Sequence, residues 1–134
     1  MKLLYALLCD QAFLSIDRKV NIIGVFETIN AQSFPVNHSK FTLVGSIVAS
    51  SEKFNLAVDI ISEKTKLSIL KDSQERLVNL PSSEGKRNFN FIIEVLNTVF
   101  PEAGNYSVAV QIDGKTISSQ NLVLAKTPDP ASLN

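Results

Sequence analysis

Residues 101–125, PEAGNYSVAVQIDGKTISSQNLVLA, carry the strongest constraint on what this chain can fold into. Tyr106, Val108, Val110 and Ile112 alternate with small or polar residues, and Lys115 opens a second arm. Between the arms, Asp113-Gly114 supplies two positions that accept positive φ, which is the chemistry of a two-residue type I′ turn. A β-hairpin is therefore expected. The turn sets Ile112 opposite Lys115, but continuing the count strands Leu122 and Leu124 on the polar face. One extra residue near Ser118, Ser119 or Gln120 restores the phase, so a bulge is expected there.

The same period recurs elsewhere. In RNFNFIIEVLN, Phe89, Phe91, Ile93 and Val95 share a face, and in FNLAVDII so do Phe54, Leu56, Val58 and Ile60. VNIIGVFETI is apolar on both parities from Ile22 to Phe26, the pattern of a central strand covered on two sides, with Gly24 marking a bulge or a close backbone approach. Helical periodicity is scarce. Strands are expected over 2–9, 11–16, 19–30, 40–50, 54–62, 66–71, 75–80, 87–96, 105–112 and 116–125, with Pro35, Pro81 and Pro101 between them. Such a series folds as an all-β, antiparallel β-sandwich, immunoglobulin-like or C2-like. One domain spans 1–125, and KTPDPASLN, 126–134, is expected to be a flexible C-terminal tail.

Charge and motif content narrow the function. Thirteen basic residues balance thirteen acidic ones without a basic stripe, which argues against nucleic acid as a partner. Lys86-Arg87 beside Glu84 reads as a solvated loop. The opening MKLLYALLCDQ imitates a secretion signal, but its apolar run, Leu3 to Leu8, is short and ends at Asp10, so it reads as a first strand. With no apolar stretch near the roughly 20 residues of a membrane span, the expected setting is cytoplasmic and free of membrane.

Catalytic sets are missing from the sequence. Cys9 and His38 are single, too few for a zinc site; Cys9 reads as a buried inert thiol and His38 as an exposed loop residue. The five glycines never cluster into a phosphate-binding loop, and Asp10, Asp17, Asp59, Asp72 and Asp113 are dispersed rather than set in a calcium loop. No cofactor and no metal are expected, and the chain reads as a non-enzyme. The rival reading is a calcium-type ligand-binding sandwich, or an enzyme whose carboxylates converge only in three dimensions.

Phe26, Phe41, Phe54, Phe89 and Phe91 fall at core parities, which leaves Phe34 and Phe100, each beside a proline, as candidate exposed contacts. Val44, Val48, Ile61, Leu70 and Val123 fall at the parity opposite the inferred core and are candidates for an apolar interaction patch.

The N-terminal third, ALLCDQAFLSIDRKVNIIGVFETINAQSFP, resembles a family of small prokaryotic β-sandwich proteins of unknown function. The resemblance rests on Asp10 and Ala12, on Lys19 to Phe26 with Gly24 inside it, on Pro35, and on the later Gly104 to Tyr106. Arg18 stands where the family pattern commonly has a turn glycine. The resemblance implies the fold and carries no activity. The expected function is a non-catalytic binding or assembly module acting through a protein partner or self-association.

Overall fold

The computed structural model describes residues 1–70, 75–81 and 87–128. Among these there is no helix. Nine strands follow in order: β1 (Lys2–Leu14), β2 (Val20–Val25), β3 (Thr28–Ala31), β4 (Val36–Ala49), β5 (Lys53–Ser62), β6 (Arg76–Asn79), β7 (Arg87–Phe100), β8 (Gly104–Ile112) and β9 (Lys115–Lys126). They form a four-stranded sheet, β2-β1-β4-β7, and a five-stranded sheet, β3-β9-β8-β5-β6. All pairings are antiparallel except β3 with β9.

One core lies between the sheets, where Phe41, Leu43 and Ile47 of β4 meet Ile60, Val108, Tyr106 and Leu122 of the other sheet. Each is almost wholly buried, and burying such a side chain contributes about 1.5 to 3 kcal/mol. Edge-on ring pairs lock the layers: Phe54 with Phe89 at 5.7 Å, Phe26 with Phe41 at 6.2 Å, and Phe100 with Tyr106 at 5.2 Å between centroids.

The β8–β9 hairpin forms as its sequence dictates. Ile112 faces Lys115, and Asp113 and Gly114 take φ of 49° and 80°. The bulge lies at Ile117, one residue before the expected stretch, so that Val110 faces Ser118 and Leu122 and Leu124 return to the core. Asp113 also binds the neighbouring strand, its Oδ1 accepting from the Asn55 amide at 2.9 Å.

Other expectations need correction. Segments 2–9 and 11–16 merge into one continuous strand that ends at Leu14, because no turn interrupts β1, and Ser15 and Ile16 belong to the turn that follows. The 19–30 segment is two strands in different sheets, and β2 lies at a sheet edge instead of its centre. Among its described residues, 66–70, segment 66–71 forms no strand and contributes a bridge from Ser68 to Ile61, residue 71 lying outside the described residues. His38 is not in a loop: it lies half-buried in β4, opposite Thr98. Phe100 is not exposed, since β7 runs on to it and buries it.

The last two corrections share a cause. Along β7 the buried residues are Phe91, Ile93 and Val95, and then Thr98 and Phe100, so the inward face changes parity at Asn97, which has φ of 50°. A strand that changes phase looks in sequence like a strand that ends. At the C-terminus, Lys126 closes β9 opposite Ala31, and the Thr127 amide donates to the Ala31 carbonyl at 2.9 Å, so the expected tail begins later than 126. The rest of that tail, 129–134, lies outside the described residues, as do Asp72, Glu84 and Lys86.

Candidate interaction site

The residues expected to form an interaction patch do not converge. Val44 is wholly buried in the central strand β4, and Val48 beside it is half-buried on the outer side of the four-stranded sheet. Ile61 and Val123 belong to the other sheet, while Phe34 and Leu70 pack against the core. Two outer faces and a core rim cannot make one surface.

Five of the exposed large apolar side chains lie instead together on the β1–β2 hairpin, while Met1, Leu4, Leu67, Leu77, Leu96 and Val99 are exposed elsewhere. Pairing of β1 with β4 stops at Cys9 opposite Thr42, yet β1 continues through Leu14, paired with β2 alone. Residues 11–14 and 20–23 therefore form a two-stranded arm extending past β4. Phe13 is 42% exposed, Leu14 56%, Ile23 51% and Val25 57%, and Ile16 in the turn is fully exposed at 105%. Phe13 faces Asn21, and Gln11 faces Ile23, so Phe13, Ile23 and Val25 share one side of the arm.

The arm's turn is held by local bonds. The Ser15 amide donates to the Lys19 carbonyl and the Arg18 amide to the Ser15 carbonyl, both at 2.9 Å. Asp17 accepts from the Ser15 hydroxyl and pairs with Lys19 Nζ at 3.1 Å, and these two neighbours hold its carboxyl below the usual carboxylate range. Arg18 takes φ of 65°, the left-handed conformation that a glycine adopts without strain. The polar turn presents Ile16 outward.

Gly24 sits at the arm's root with φ of 73°, where a Cβ would collide with the Asp10 carboxylate, lying 2.9 Å from its Cγ. The close approach there comes from the Asp10 side chain and not from a neighbouring backbone as expected. Beside it opens a cleft of about 340 Å³ lined by Asp10, Phe26, Thr28, Ile29, Asn30 and His38. Cys9, opposite Val25 in the β1–β2 pairing, is buried, and burial pushes its thiol up, which favours the unreactive protonated form. Among the described residues, no three His, Cys, Asp or Glu side chains group so as to hold a metal ion. Asp59 accepts from the Ile60 amide and from Ser68, and Asp113 serves its turn, so both carboxylates have structural partners. No helix among the described residues is long and apolar enough to cross a membrane.

The arm was missed in sequence because Phe13, Ile16, Ile23 and Val25 carry ordinary strand apolarity. The available signal was that Ile16 sits inside SIDRK, between polar turn residues, where a core residue has no place.

The fold defines an all-β protein of two sheets around a common core. Within that class, the chain belongs to a family of unknown function, DUF6941, whose model matches residues 4–125. Comparison with curated proteins finds no match. Among solved structures the chain is similar to the alkylpurine DNA glycosylase AlkC of Pseudomonas fluorescens bound to DNA containing an abasic site analog, at 9% identity and a TM-score of 0.40. The match covers 90% of this chain and 30% of that one, and a likeness this slight carries no argument.

Proposed function

We propose that this protein is a non-catalytic assembly module of immunoglobulin-like architecture that binds another protein through its β1–β2 arm. The observation that carries the reading is the concentration of exposed Phe13, Leu14, Ile16, Ile23 and Val25 on one projecting hairpin. Single exposed apolar residues are ordinary, but a contiguous group marks an interaction surface.

The immunoglobulin-like assignment has two supports. The connectivity of β1, β4 and β7 in one sheet and β5, β8 and β9 in the other parallels the A, B, E and C, F, G strands of that fold, with β6 flanking β5. Tyr106, near the start of β8, donates its hydroxyl to the Glu102 carbonyl at 2.7 Å, as the tyrosine corner of that fold does. Both features favour it over a C2-like arrangement. The fold alone assigns no activity.

The non-catalytic reading is supported by the protonated Cys9 thiol and by the cleft, whose titratable side chains are Asp10 and His38 alone. Balanced charge favours a protein over a nucleic acid or an anionic membrane as partner, and an unpaired, buried cysteine accords with a cytoplasmic setting. A photo-crosslinking amino acid at position 16 tests the reading in native lysate, with position 115 in the opposite turn as control. The expected result is a discrete protein adduct from position 16 and none from 115. Equal or absent adducts would overturn the reading.

A further inference from the structure

β2 occupies an edge but has the composition of a central strand. Ile22 is half-buried on the side toward the core, Ile23 and Val25 are exposed on the other, and Val20–Val25 contains no charged residue. Natural edges are blunted by charge or brevity, and the other three comply: β6 carries Arg76, β7 carries Arg87 and Glu94, and β3 has four residues. β2 is six residues long and uncharged, with apolar side chains beside its free edge.

We propose that a second copy of this chain completes the four-stranded sheet at β2, the two β2 strands pairing antiparallel about a two-fold axis at Ile23. The proposal rests on the assembly reading and names its partner. Charge sets the register. Lys19, whose exposed Nζ also pairs with Asp17 of its own turn, and Glu27, whose carbonyl accepts from the Val123 amide, flank the uncharged stretch at equal distances from Ile23, so this alignment brings their side chains opposite one another between copies, while a shifted alignment separates them. The symmetry doubles that pairing.

The same register unites the apolar surface. Phe13, Ile23 and Val25 share one side of the arm, so Ile23 meets its own counterpart and Val25 of each copy lies beside Asn21 of the other, next to Phe13. Gly24, one residue from the axis, presents no side chain against the approaching backbone. In the paired state β2 is central, and its apolarity on both parities matches its place.

Light scattering on the full chain over a concentration series tests the proposal, together with three variants. The wild type should reach twice the chain mass of 14.7 kDa. Lys19→Glu should weaken the dimer at least about tenfold by opposing Glu27, and Lys19→Glu with Glu27→Lys should restore it to within about threefold. Ile23→Cys should form an interchain disulfide under oxidised glutathione, whereas Lys115→Cys should not; Cys9 is buried and does not compete. A monomer at every concentration, a double variant no stronger than the single one, or a dimer without the Ile23→Cys bridge would each overturn the proposal. A strict monomer whose position 16 still crosslinks to a different protein overturns self-pairing and leaves the assembly reading standing.

Discussion

The Tyr106 hydroxyl donates to the Glu102 carbonyl at 2.7 Å, bridging the corner where the chain leaves β7 and enters β8. The Tyr106 ring also meets Phe100 edge-on, so a single side chain ties the end of one sheet to the start of the other. Tyr106→Phe keeps the ring contact and leaves the carbonyl without its donor. The expected loss is about 1 to 2 kcal/mol, measured by urea unfolding. An unchanged midpoint would mean the corner does not stabilise the fold.

Gly45 lies in the middle of β4, between Ala6 and Phe91. A Cβ there would stand 2.6 Å from the Tyr5 carbonyl oxygen and 2.9 Å from Phe91 Cε1, and the carbonyl belongs to backbone that cannot swing aside. Gly45→Ala is therefore expected to destabilise by at least about 2 kcal/mol, the scale of overpacking a filled core. Thermal unfolding within a degree of wild type would contradict the geometry.

Thr42 and Thr98 each bury a hydroxyl that has no hydrogen-bond partner. Valine has the same shape without the polar atom, so Thr42→Val and Thr98→Val should each stabilise by about 0.5 to 1.5 kcal/mol. A fall in melting temperature in either variant would show that its hydroxyl is satisfied in solution.

Alkaline pH should loosen the fold. Burial raises the Cys9 thiol above its ordinary 9.0 and the Tyr106 phenol above its ordinary 10.0. The folded chain therefore keeps protons that the unfolded chain releases, and stability is full below pH 9.0 and declines as pH rises through 10.0 and beyond. Urea midpoints across that range should show the decline, and Cys9→Ala combined with Tyr106→Phe should flatten it. An equal slope in the double variant would assign the effect to other groups.

Where side-chain period and turn chemistry agreed, the fold was legible in the residues. Asp113-Gly114 specified its turn, and the phase of Leu122 and Leu124 required a bulge that formed at Ile117. Legibility failed where the backbone changes phase. Positive φ at Asn97 turns β7 over, which hid Phe100 in an apparent loop, and the partner stretch of β4 hid His38 in the same way. The exposed apolar group of the β1–β2 arm was not legible: none of Phe13, Leu14, Ile16, Ile23 and Val25 was among the residues expected to form a patch. Parity tells which residues share a face, and it cannot tell whether this chain covers that face. Val44 and Ile23 are both apolar strand residues, yet flanking strands on either side bury the first while the second stands at an edge.

Amide hydrogen exchange of residues 20–25, compared between dilute and concentrated protein, tests the central claim most directly, because β2 can be protected as a central strand only when another chain covers its edge. The account predicts slow exchange at high concentration, approaching that of β4, and faster exchange on dilution. Rapid exchange independent of concentration would contradict it.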